Sequence, residues 1–220
     1  MNNAQFDRAL ERRNQDSVFN ARLHGAGIAM LAMGMWRSRH DEDNRLLPYV
    51  DKTCRSALRV VIEELNNLTS DFCRSAVFYS KEAKSRLAEA NTTTLRDKKL
   101  AKQRGQLLVL NNGPTKSNSI TTLGLCYEHS VPNGQLWLSI DDLLEGSQSY
   151  EDLLAKMKKY FQGCFTSVVT EEENQKVKDA KLNGCMPSGH KMLVDHSAAR
   201  YKVAGIFENL EHNSDYWGQL

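Results

Sequence analysis

A chain of 220 residues, 40% of them hydrophobic and only four of them proline, is long enough to bury a substantial core, which excludes a disordered segment. Its formal net charge of +2 hides a polarity: residues 1–104 carry 19 Arg and Lys against 13 Asp and Glu, whereas residues 105–220 carry 10 against 14. The five cysteines, Cys54, Cys73, Cys126, Cys164 and Cys185, contain no Cys-x-x-Cys pair and leave one over, which suits buried thiols in a reducing compartment better than a disulfide framework.

Met1 to Arg13 has no apolar signal-like region, and a cytoplasmic protein is the expectation. Residues 4–13 and 16–40 read as helices. The uncharged stretch Leu23 to Trp36 would rise about 21 Å as a helix, short of a bilayer core of roughly 30 Å, so no membrane span is expected. Within it Ala21, Gly25 and Ala29 form a small-residue ridge and Met30, Met33 and Met35 an adaptable surface, features that suit a core and also contacts in a homo-oligomer. Pro48 opens a third helix with apolar positions Val50, Cys54, Leu58, Val61, Leu65 and Leu68. A fourth, from Phe72, places Ala76, Tyr79, Ala83, Leu87 and Ala90 on one side, and the two read as an antiparallel helical hairpin.

After the polar break at 91–94 comes a dense basic tract, Arg96, Lys98, Lys99, Lys102 and Arg104, and beyond Gly105 the period changes. Gln106–Leu110 reads as a buried strand, and residues 122–127 and 136–140 as strands of a hairpin turning at Pro132-Asn133-Gly134. Ser149 with Asp152 and Thr170 with Glu173 are capping boxes that open two further helices, and a last helix is expected from about His190 to Leu210. The expected fold is therefore α+β: a helix-rich basic region, 1–104, then a small antiparallel sheet with C-terminal helices, 105–220, packed together as one unit.

Lys81, Lys84 and Arg86 lie just upstream of the basic tract, and Lys116 follows within a polar segment rich in Asn and Ser. If these cations converge, they form a surface that meets phosphates without reading bases, so the expected partner is nucleic acid bound irrespective of sequence. The expected sites are Lys81, Lys84, Arg86, Arg96, Lys98, Lys99, Lys102, Arg104 and Lys116, with no catalytic group, metal or cofactor assigned. A packaging or coating role in a virus or phage-like element suits that profile. The charge split equally suits a structural protein whose basic and acidic halves meet between subunits.

A third reading is a small hydrolase that uses Cys164 as nucleophile with His190 or His196 as base and Asp195 to orient it. Cys185, His190 and His196 include zinc-ligand types, but the paired cysteines of a zinc knuckle are missing. Pro187-Ser188-Gly189-His190 coincides with the central motif of the phosphatidic acid phosphatase and haloperoxidase superfamily. The match ends at those four residues: the chain has no Arg-Pro and no Ser-Arg after His190, so the tetrapeptide carries no assignment. Phosphate-loop, dinucleotide and metalloprotease signatures are absent.

Overall fold

Ala76 to Ser80 and Thr166 to Thr170 are buried at every position, because each runs through the middle of a sheet covered on both faces. The computed structural model describes residues 1–17, 20, 21, 23–25, 28, 76–89, 100–103, 106–110, 120–132, 135, 143, 147–191 and 195–214, with the backbone alone at 100–103, 106–110 and 120–123. The fold is α+β, as the sequence leads one to expect. Strands β1 (Phe78–Ser80), β2 (Leu100–Gln103), β3 (Gln106–Leu110), β4 (Ile120–His129), β5 (Thr166–Thr170) and β6 (Leu210–His212) form one sheet in the order β2-β3-β4-β5-β1-β6. Helices α1 (Asn3–Asn14), α2 (Lys81–Glu89), α3 (Tyr150–Gly163), α4 (Glu171–Asp179) and α5 (Ala199–Val203) accompany it.

Phe78 and Val169 belong to the larger apolar cluster, with Phe6 and Leu10 of α1, Met157 and Phe161 of α3, Val177 of α4 and Tyr201 of α5. Tyr79 and Val168, the neighbours on those strands, point the other way and pack with Leu125 and Tyr127 of β4 and with Ala83 and Leu87 of α2. Phe6 anchors the first face: its ring stacks on Phe78 at 5.0 Å and meets Phe165 edge-on at 5.0 Å.

Several sequence expectations are corrected. The fourth helix begins only at Lys81, and Phe78–Ser80 is a strand. A strand buried on both faces shows no alternation, so Ala76 and Tyr79 fit a helical spacing by accident. The sheet is mixed, since β1 runs parallel to β5 (Phe78 opposite Ser167) while the other neighbours are antiparallel. Strand structure also starts before Gly105: β2 lies inside the basic tract, with Gln103 opposite Gln106 and two residues between. The place beside β4 that was expected for 136–140 is taken by β5, with His129 opposite Thr166.

The expected last helix is also broken up. α5 stops at Ala204 in a Schellman motif, in which Ile206 N donates to Tyr201 O at 2.9 Å and Gly205 N to Lys202 O at 3.1 Å. Gly205 supplies the φ of +69° that this reversal requires, and the chain goes on into β6. The helical hairpin's first arm, most of 16–40, and the strand expected at 136–140 lie outside the described residues.

The expected caps are present. Thr170 and Glu173 exchange both bonds of a capping box, whereas Ser149 accepts from Asp152 N and the Asp152 carboxylate turns instead to Gln148 N. The C-terminus of α3 is finished differently, because its last turn holds no basic residue. Arg13 of α1 supplies the charge from outside: Nη2 donates to Cys164 O at 2.8 Å, Gln162 O at 3.1 Å and Phe161 O at 3.3 Å. Burial pulls this guanidinium down to about 10, which leaves it charged at neutral pH. Arg13→Ala strands several of these carbonyls and is expected to lower unfolding free energy by about 2–4 kcal/mol in urea melts. Arg13→Lys is expected to recover only part, since an ammonium lacks the planar fork.

Candidate polyanion-binding surface

Ser80 ends β1, and its hydroxyl accepts from Ala83 N at 3.1 Å, so α2 starts without a linker at the carboxyl end of the strand. Thr170 does the same for β5 and α4. Because β1 and β5 are parallel neighbours, both helix starts lie at the same end of the sheet, and the two helices contribute to opposite apolar clusters. That end is where the cations of α2 are placed.

Arg86 bridges it. Its guanidinium meets Glu82 at 3.3 Å on its own helix and Glu172 at 3.0 Å on α4, and Nη1 reaches Gly124 O at 3.4 Å. Burial alone would depress its pKa, but Glu82 and Glu172 outweigh that and raise it. Room for the side chain comes from a bulge: between Leu107 and Leu108 of β3 the partner on β4 steps from Leu125 to Thr122, with Gly124 at φ +61°. The positive φ would strain any side chain at Gly124, and its Cβ, 2.8 Å from Arg86 Nη1, would push the guanidinium aside. Lys84 faces Glu211 of β6 at 3.0 Å.

Of the expected cations, then, Lys84 and Arg86 are held by carboxylates of the same chain. Lys81 is exposed and has no carboxylate partner among the described residues. Lys102 stands on β2, the terminal strand among the described residues, opposite Leu107 of β3. Arg96, Lys98, Lys99, Arg104 and Lys116 lie outside the described residues.

The cysteine and histidine readings meet a different environment. Cys164 is buried and donates to Tyr160 O at 3.5 Å, and burial pushes its thiol up to about 12 despite Arg13. A thiol kept protonated in this way is a poor nucleophile. The carboxylate of Asp195 accepts from Lys191 N at 2.6 Å and is 3.9 Å from His190 Nδ1. His196 lies 4.6 Å from the Phe6 ring and 5.7 Å from Phe207, with Nδ1 accepting from Ala198 N. Cys185 is exposed and donates to Lys181 O. Among the described residues no three potential ligands gather as a metal site would need.

Sequence reasoning missed a buried polar cluster. Arg200, 1% exposed, donates to His129 O at 2.7 Å and stands 3.7 Å from Glu128. Beside it Ser167 donates to the Tyr201 hydroxyl at 2.8 Å, and burial drives the Tyr201 phenol well above its usual range. Both residues look like ordinary helix positions in sequence. The cluster ties the end of β4 to α5 and the 183 loop, since Arg200 also reaches Asn183 O at 3.5 Å. No protein family, curated protein or solved structure matches this chain.

Two expectations follow from these environments. In native protein, iodoacetamide is expected to label Cys185 while sparing Cys126 and Cys164, with mass mapping of the peptides as the readout; rapid labelling of Cys164 would show an activated thiol. Burial also holds His190, His196 and His212 below the ordinary histidine value of 6.5, opposed by Asp195 at the first, aided by Lys202 and opposed by Asp7 at the second, and aided by Arg12 and Lys84 at the third. Below that value the unfolded chain binds more protons than the folded one, so stability is full above pH 6.5 and falls as the solution is acidified. Thermal melts between pH 7 and 5 should show a declining Tm, with a shallower slope in His196→Asn.

Proposed function

We propose that the protein binds nucleic acid through its phosphates, irrespective of sequence, and that the basic hairpin of β2 and β3 makes the contact. One observation carries this reading: β2 is the terminal strand among the described strands of the sheet, and the sequence around it holds five cations to one acid between Arg96 and Arg104. A cationic ribbon at a sheet edge is sterically open to a polyanion in a way that a central strand is not. The weight falls on Lys98, Lys99, Lys102 and Arg104. Lys84 and Arg86 contribute less, because Glu211, Glu82 and Glu172 already answer their charge.

The assembly reading uses the same edge, since a strand with no outer neighbour among the described residues offers its backbone to a second copy; cations there also discourage such pairing. The two separate in one set of measurements. A random 20-nucleotide probe is expected to bind at low salt with a steep dependence on salt, and each cation of the basic tract removed, as in Lys99→Gln, to reduce the log–log slope by about one. Lys84→Gln and Arg86→Gln are expected to leave that slope nearly unchanged. Absence of binding at low salt, or equal losses in the α2 variants, would sink the proposal. Size that grows with protein concentration without nucleic acid would favour assembly.

A further inference from the structure

At the opposite edge of the sheet a cavity of about 400 Å3 opens along β6, between the starts of α1 and α2. Gln5, Lys81, Leu210, Glu211, His212 and Met1 line it. Taken group by group, the polar side chains of the lining offer more donors than acceptors. The Gln5 carbonyl oxygen is committed to Asn2 N at 3.0 Å, which leaves its amide N–H groups to offer. Lys81 offers an ammonium that meets no carboxylate among the described residues. The Glu211 carboxylate, the acidic group of the lining, is engaged through Oε2 by Lys84 at 3.0 Å.

His212 completes the set. Its Nε2 is buried without a partner, and an orphaned N–H is harder to bury than a bare lone pair, so the proton belongs on Nδ1. The geometry points to a binding site here for a phosphate monoester or free phosphate, with Lys81, the Gln5 amide and His212 Nδ1–H as donors. A phosphate monoester is mostly dianionic at neutral pH and accepts through all three of its terminal oxygens, and free phosphate carries the same charge-assisted acceptors with one or two hydroxyls besides, so both suit a lining rich in donors. Room remains beyond the phosphate group, and Leu210 and Met1 give that room an apolar wall. Arg12 and Lys84 add positive potential at His212, the same field that burial reinforces in keeping the ring neutral. A seated anion reverses this field.

The site lies five strand positions from β2, so it stands or falls independently of the hairpin. The test follows the His212 ring signals of the full chain by NMR while inorganic phosphate, adenosine 5′-monophosphate or adenosine is added. Phosphate and the monophosphate are expected to shift those signals saturably at millimolar concentration and to raise the pKa of His212. Lys81→Gln is expected to weaken both roughly tenfold, and Lys156→Gln, on α3, to weaken neither. Tighter binding of the monophosphate identifies an ester as the ligand, and saturation by phosphate alone identifies the free ion. No saturable shift with either, an effect of adenosine equal to that of its monophosphate, or indifference to Lys81→Gln would overturn the assignment.

Discussion

The parallel pairing of β1 with β5 is the constraint on which the rest of this structure depends. It sets Phe78 opposite Ser167 and Tyr79 opposite Val168, and so joins the basic and acidic halves of the chain in one sheet. A parallel pair cannot be closed by a tight turn; the chain between must leave the sheet edge and return. Among the described residues that excursion contains α2, β2, β3, β4 and α3. Both central strands are covered on two faces, which is why Phe6 and Phe165 can gather on one side while Tyr79 and Tyr127 are buried on the other.

The same pairing arranges the charges. Two helices begin at one end of the parallel pair with acidic first turns, Glu82 on α2 and Glu171, Glu172 and Glu173 on α4, as the helix dipole favours. Arg86 stands between them, and the Gly124 bulge lets it lie against the β4 backbone. Exposed pairs of this kind add little stability individually. Their consequence is electrostatic: the charges of Lys84 and Arg86 are answered by Glu211, Glu82 and Glu172 of the same chain. Arg13 performs a related task inside the fold, where its charge replaces the basic residue that α3 lacks in its last turn.

Much of the local structure was readable. The Thr170 and Glu173 box and the Ser149 cap are short-range patterns, and each helix starts where its pattern predicts. Gly205 followed by Ile206 was a legible stop signal for α5, hidden by apolar residues that continue at helical spacing. β1 and β5 were harder, because a strand buried at every position has no period to detect. The candidate surface was legible as a list of cations and not as an arrangement. Nothing near Lys84 in sequence announces Glu211, and nothing near Arg13 announces Gln162, 149 positions away.

The amino-acid sequence by itself determined the capped helices, the β3 and β4 strands, the α+β class and the polarity of charge between the two halves. These depend on interactions among residues a few positions apart, where spacing is fixed by covalent geometry. Tertiary structure alone decided which strands became neighbours, that β1 was a strand at all, and which cations met carboxylates. Those outcomes depend on contacts between distant segments, and their spacing exists only once the sheet has formed.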